Sequence, residues 1–186
     1  MNVIQTDLPG VLIIEPRVFG DARGFFMETW QQQRYAEAGM PEHFVQDNLS
    51  FSRQGILRGL HYQHPQGQGK LVYVLQGEVY DVAVDIRVGS PHFGRSVGVT
   101  LSMDNKRQFY IPPGFAHGFC VTSETALFAY KCTEFYNAEL EGSIRWDDPE
   151  LGIDWPSPEP LLSDKDRAAP LLSEIAKDKL PPYSSL

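Results

Sequence analysis

The chain is poor in basic residues, with 16 Lys and Arg against 24 Asp and Glu and a formal net charge of −8 at pH 7. That balance excludes a general nucleic-acid binder, which needs a basic face. It leaves room for one nucleotide, because a few arginines gathered in a pocket can hold a pyrophosphate. Cysteine is scarce too: Cys120 and Cys132 stand in apolar or strand-like surroundings without Cys-x-x-Cys spacing, and they read as reduced core or near-core thiols. No apolar run approaches the roughly 18 residues of a membrane span. The N-terminus, Met1-Asn-Val-Ile-Gln-Thr-Asp, has no basic start and no long apolar stretch, so no signal peptide is expected. The expectation is a soluble, cytoplasmic protein.

Helix signals are few. Trp30–Ala38 is polar and Gln-rich and is ended by Gly39 and Pro41; Leu171–Lys179 follows Pro170 and stops before Pro181-Pro182. Most of what remains reads as short strands rich in Val, Ile, Phe and Tyr, broken by Gly, Pro, Asn or Asp. The first five are Val11–Ile14, Gly24–Thr29, Phe44–Ser52, Ile56–Tyr62 and Leu71–Leu75. Glu78–Ile86, Val97–Leu101, Gln108–Ile111, Gly118–Val121 and Ala126–Cys132 continue the series. Within Tyr80–Asp85 the alternation puts Asp81, Ala83 and Asp85 on one face. Composition is even until the C-terminal end, with no linker or repeat, so residues 1–186 are expected to form one domain. Many short strands with few helices predict an all-β sandwich or jelly roll, and propensity alone does not choose.

Two stretches carry a motif. Gly55, five residues, His61, one residue and Gln63 are followed, after a loop, by Lys70, six residues and Gly77; further on stands Pro112-Pro113-Gly114-Phe115-Ala116-His117. These resemble the paired motifs of the cupin superfamily, which implies an all-β double-stranded β-helix (jelly roll) with short peripheral helices. Metal-binding cupins take two His and a Glu from the first motif and a His from the second. Here Gln63 replaces a His, Lys70 replaces the Glu, and Val121 stands where an Asn is usual. A lysine ammonium offers no lone pair and repels a divalent cation, and two imidazoles without a carboxylate make a poor site for iron, manganese or zinc. The expectation is a pocket with no metal and no cofactor.

The resemblance sharpens in Phe19-Gly-Asp-Ala-Arg-Gly-Phe-Phe-Met-Glu28, Phe44-Val-Gln-Asp-Asn48, Leu57-Arg-Gly-Leu-His-Tyr-Gln63 and Gly77-Glu-Val-Tyr-Asp-Val-Ala-Val-Asp-Ile-Arg87. Ile111-Pro-Pro-Gly-Phe-Ala-His-Gly-Phe119, Tyr130-Lys-Cys-Thr-Glu-Phe-Tyr136 and Leu162-Ser-Asp-Lys-Asp166 extend it over nearly the whole chain. Together they are similar to the dTDP-4-dehydrorhamnose 3,5-epimerase family. The family's substrate is a 6-deoxy-4-keto-hexose on thymidine diphosphate. Its C3 and C5 protons are acidic because the carbanion delocalises onto the C4 ketone oxygen as an enolate. Epimerisation needs a base, a group to hold the oxyanion, and an acid on the opposite ring face.

His61 suits the base, since an imidazole titrates near about 6.5, and the family match gives Asp166 as acceptor for its other nitrogen, with Asp164 as the competing carboxylate. Lys70 suits the enolate oxyanion, because an ammonium in a water-poor cavity stabilises growing charge far more than in water. Tyr130 suits the acid, with Tyr136 as competitor. Asp81 is a candidate ion-pair partner of Lys70 or a solvent-facing strand residue. Arg58 and Arg23 match family arginines for the diphosphate; His117, Gln46, Asn48 and Glu28 match polar contact positions. Phe19, Phe26, Phe135 and Tyr136 offer stacking faces for thymine, each also readable as core.

The resemblance further implies a homodimer whose N-terminal strands cross to the partner, so that Arg23, Phe19, Phe26 and Glu28 serve its site. The activity implied is epimerisation at C3 and C5 for dTDP-rhamnose or a related deoxysugar of cell-surface polysaccharide. Rivals are a C5-only or C3-only epimerase, a 3,4-ketoisomerase, a metal-dependent cupin oxygenase, or a non-catalytic sugar-binding cupin.

Overall fold

The computed structural model describes residues 1–41 and 43–184. The chain order is β1 (Asn2–Gln5), β2 (Leu12–Glu15), β3 (Val18–Asp21), β4 (Gly24–Met27), α1 (Gln32–Glu37), β5 (Gln46–Arg53) and β6 (Leu57–Gln63). It continues with β7 (Lys70–Gln76), β8 (Glu78–Asp85), β9 (Ser96–Ser102), β10 (Gln108–Ile111), β11 (Phe115–Val121), β12 (Thr125–Cys132), β13 (Glu141–Ser143) and α2 (Asp164–Arg167). Two 3₁₀ turns, Leu172–Glu174 and Lys177–Lys179, close the described chain. No described helix is long and apolar enough to cross a membrane.

The all-β reading holds; the jelly-roll barrel does not. The strands form three open sheets, ordered β1-β2-β10-β7-β12-β5, β13-β6-β11-β8-β9 and β3-β4. A barrel requires the last strand to hydrogen-bond with the first, whereas among the described residues β5 and β9 each end a sheet. The cupin-like motifs specify local strand and turn chemistry around His61 and His117. Closure is set by long-range pairing of edge strands, which those spacings do not encode.

The two large sheets face one another. Between them Val72, Val74, Phe109, Ile111, Ala126 and Phe128 of one sheet pack on Val79, Ala83, Val99, Leu101, Phe115, Phe119 and Val121 of the other. Part of each large sheet's outer face is also covered. The segment after β13 lays Ile144, Leu151, Trp155, Leu172 and Leu180 over Leu57, Leu60, Val82, Val84 and Ile86. Helix α1 lays Tyr35, with Met40 just beyond it, over Leu12, Ile14, Leu71 and Tyr110. At roughly 25 cal/mol per Å² of apolar surface removed from water, these three layers supply the main stabilising term. Both cysteines are buried and free.

The C-terminal helix expected over Leu171–Lys179 forms only as the two 3₁₀ turns Leu172–Glu174 and Lys177–Lys179. Leu171, Ile175 and Ala176 have extended backbone, and Leu172 N–H donates to the buried Asp148 carboxylate at 2.7 Å. Tertiary anchoring of Leu172 thus overrides a helical propensity too short to hold by itself.

Candidate active site

The site lies where the inter-sheet core turns polar. Strand β6 carries Arg58 and His61, three residues apart. A period of two would put them on opposite faces, yet both line one cavity. The phase is reset at Gly59. The β6–β11 register shifts there, with His117 opposite His61 but Phe119 opposite Arg58. Such a bulge turns a strand's facing locally. Gly59 has φ of +118°, and a Cβ on it would sit 2.6 Å from His117 O and Gly118 Cα, so only glycine fits.

His61 Nε2 lies 2.5 Å from Asp166 Oδ1. Asp166 is buried, and its other oxygen accepts the Gly59 N–H at 3.3 Å. Ser163 caps α2, accepting the Asp166 N–H at 3.1 Å, which fixes the aspartate toward the strand. Burial pushes the Asp166 carboxyl up, but hydrogen bonds from His61, Gly59 and Ser163 outweigh it and hold the pKa below the usual carboxylate range. Assigning the proton to Nε2 leaves His61 Nδ1 with a free lone pair. Asp164, the competing carboxylate, is exposed.

Lys70, first residue of β7, shares its inward face with Val72 and Val74. It forms no ion pair among the described residues. Burial lowers its pKa, while Cys132, Glu141 and Asp81 pull the other way. Its Nζ lies 5.9 Å from the Tyr130 ring centroid. Burial raises the Tyr130 phenol's pKa, so it is a protonated, proton-donating group at neutral pH.

Asp81 does not pair with Lys70, nor does it face solvent. It is buried and holds His117, whose Nε2 lies 2.9 and 3.0 Å from its two oxygens. Burial lowers the His117 pKa against the pull of Asp81, and raises that of Asp81 against the pull of His117.

Arg58, His61, Lys70, His117, Tyr130 and Asp166, with Ser50, Phe119 and Phe128, line a cavity of about 210 Å³. At its rim Gln46 Oε1 accepts the Tyr136 N–H at 2.9 Å, and Gln46 Nε2 donates to Asn48 Oδ1 at 3.1 Å. Phe135 and Tyr136 stand exposed beside them. Sequence reasoning passed over Glu141, which accepts the Tyr136 hydroxyl at 2.8 Å and binds Lys165. Its strand β13 is only Glu-Gly-Ser, too short to carry an alternation signal.

Arg23, Phe19, Phe26 and Glu28 are not brought to this cavity. They lie on or beside the β3–β4 hairpin, with Arg23 paired to Asp21 and Glu28 to Arg34. Phe19, Phe26 and Glu28 line a separate groove with Arg17 and Arg34.

Gln63, where a metal-binding cupin has His, serves as a loop clamp. Its amide donates to Gln66 O and Phe135 O at 2.6 and 3.1 Å and accepts from Asn137 N–H at 2.9 Å. Among the described residues no group of three or more His, Cys, Asp or Glu is placed to hold a metal ion.

A profile of the dTDP-4-dehydrorhamnose 3,5-epimerase family matches residues 5–174. The chain is similar to the dTDP-4-dehydrorhamnose 3,5-epimerase of Shigella flexneri, 60% identical over 89% of this chain and 93% of that one. It is 59% identical to that of Pseudomonas aeruginosa, over 90% and 93% of the two chains. Among solved structures it resembles the dTDP-6-deoxy-D-glucose-3,5-epimerase of Legionella pneumophila in complex with dTDP-4-keto-L-rhamnose. That match has a TM-score of 0.96 and 58% identity and covers 99% of both chains.

Proposed function

The chain belongs to the dTDP-4-dehydrorhamnose 3,5-epimerase family, and from that premise we propose how its cavity inverts C3 and C5 of dTDP-4-dehydro-6-deoxy-D-glucose to give dTDP-4-dehydro-L-rhamnose. The observation that carries the proposal is the convergence of His61 with Asp166, Lys70 and Tyr130 on one cavity.

His61 Nδ1 removes the proton next to the ketone, and Asp166 stabilises the imidazolium that forms. The electron pair moves onto the C4 oxygen, where Lys70 holds the enolate in a site poor in water. Tyr130 returns a proton from the opposite ring face, and its phenolate is stabilised by the nearby Lys70 ammonium until solvent reprotonates it; His61 releases its captured proton to solvent in exchange, which restores both groups. Repetition at the second carbon completes the double inversion.

The cavity is smaller than the roughly 300–1,000 Å³ of pockets that bury drug-sized ligands. It therefore suits the reacting ring, with the diphosphate at Arg58 and the thymine outside, near Phe135 and Tyr136. His117 adds to the polar lining, with Gln46 and Asn48 at the rim.

The protein is read as a homodimer. Phe26 on the β3–β4 hairpin is 69% exposed, and Leu49 and Phe51 on edge strand β5 are 61% and 59% exposed. Exposed apolar patches of this kind mark contact surfaces, and exposed sheet edges call for cover. In the dimer Arg23, Phe19, Phe26 and Glu28 would reach the partner's nucleotide. The diphosphate substrate does not enter hydrocarbon unaided, which agrees with a cytoplasmic enzyme.

The purified protein is expected to convert the 4-keto-6-deoxyglucose nucleotide, followed by proton NMR, into product inverted at both carbons. Recovery of unchanged substrate, or of a product inverted at one carbon, would overturn the assignment.

A further inference from the structure

Strand β5 alternates, with Asp47, Leu49, Phe51 and Arg53 exposed and Gln46, Asn48, Ser50 and Ser52 turned inward. Three of the four inward side chains are occupied. Gln46 is tied to Tyr136 and Asn48. Asn48 donates to Cys132 Sγ at 3.6 Å, and Ser52 Oγ accepts Arg58 Nε–H at 3.1 Å. Ser50 Oγ is buried and has no partner among the described residues. Trp30 Nε1 and His92 Nδ1 are likewise unpaired among the described residues. Of the three, Ser50 alone lines the cavity. A buried hydroxyl left unpaired is unfavourable, and its persistence at a cavity wall calls for a ligand that completes it.

Resting on the reaction proposed above, we infer that Ser50 is a specificity-determining contact whose hydroxyl pairs with the C2 hydroxyl of the bound hexose. The position follows from register. Asn48 is opposite Tyr130 and Ser50 opposite Phe128, while Ser52 holds Arg58. Same-face neighbours on a strand are roughly 7 Å apart. Ser50 thus stands between the diphosphate end, marked by Arg58, and the reacting end, marked by Tyr130. On the substrate, C2 lies between C1, which bears the diphosphate, and C3, which reacts. The C3 hydroxyl changes orientation during inversion, whereas the C2 hydroxyl does not. A short side chain on a strand paired along its length suits the group that stays still. Serine both donates and accepts, which matches a sugar hydroxyl.

The test compares kcat/KM of the wild type and Ser50→Ala on the 4-keto-6-deoxyglucose nucleotide and on its 2-deoxy counterpart. Loss of one hydrogen bond to a hydroxyl is expected to lower kcat/KM about tenfold on the first sugar. On the 2-deoxy sugar the two proteins should differ by less than twofold. The affinity for dTDP alone, by calorimetry, should not change. No loss on the first sugar, or equal loss on both, overturns the contact; so does a matching loss of dTDP affinity. Ser50→Cys, similar in size, repeats the comparison if the alanine variant melts early. Wild-type turnover of the first sugar is read in the same series. If it is absent, the reaction falls and this contact with it; if it is present while Ser50→Ala behaves as wild type, only the contact falls.

Discussion

His61→Ala is expected to abolish hydrogen exchange at both C3 and C5 of the keto sugar, a loss beyond the roughly 10²–10⁴-fold that general-base catalysis usually contributes. Both exchanges begin at the same nitrogen, and no neighbour replaces it. The His117 imidazole is held on Asp81, and burial lowers its pKa. The fold should tolerate the change, because the His61 side chain is 28% exposed and alanine enlarges an open cavity instead of creating a sealed void. The check is NMR in deuterated water on a variant whose thermal melt matches wild type. Normal exchange in that variant would remove His61 as the base.

Lys70→Met is expected to slow exchange and inversion together by about 10²–10³-fold, the usual cost of removing an oxyanion donor. The enolate is common to both carbons and both outcomes, so neither escapes. Stability should not fall, since burial already disfavours the Lys70 ammonium and methionine fills the same space without a charge. Loss of activity with an unchanged or raised Tm is the signature. Tyr130→Phe should behave differently. Proton removal continues, so washout of substrate hydrogen outruns formation of inverted product, because the enolate is reprotonated only from the His61 side or by stray water. If Lys70→Met exchanges normally, the enolate is held elsewhere. If Tyr130→Phe inverts at the normal rate, the acid is another group. Tyr136 is poorly placed for it, being half exposed with its hydroxyl donated to Glu141.

What could be read from the sequence was what depends on local pattern. The ten strands expected from β-branched and aromatic runs all appear, because alternation on a half-buried sheet is a short-range signal. The strands β1, β3 and β13 escaped. The Leu171–Lys179 stretch is broken into two 3₁₀ turns because a tertiary contact at Leu172 outweighs propensity. The barrel failed because closure depends on which edges meet.

At the site, His61, Lys70, Tyr130, Asp166, Arg58 and His117 were named from motif resemblance, and they do line one cavity. Two features had no signature. The bulge at Gly59 is visible only in the β6–β11 register, and without it Arg58 and His61 would face opposite sides. The pairing of Asp81 with His117 instead of Lys70 is decided across two strands, where the buried imidazole is the nearer donor.

The most direct measurement is proton NMR of the wild-type enzyme with the 4-keto-6-deoxyglucose nucleotide in deuterated water. An enolate formed toward each side of the C4 ketone predicts deuterium at C3 and at C5, with both centres inverted in the product. Inverted product that retains its original hydrogens, or deuterium at only one carbon, would contradict it.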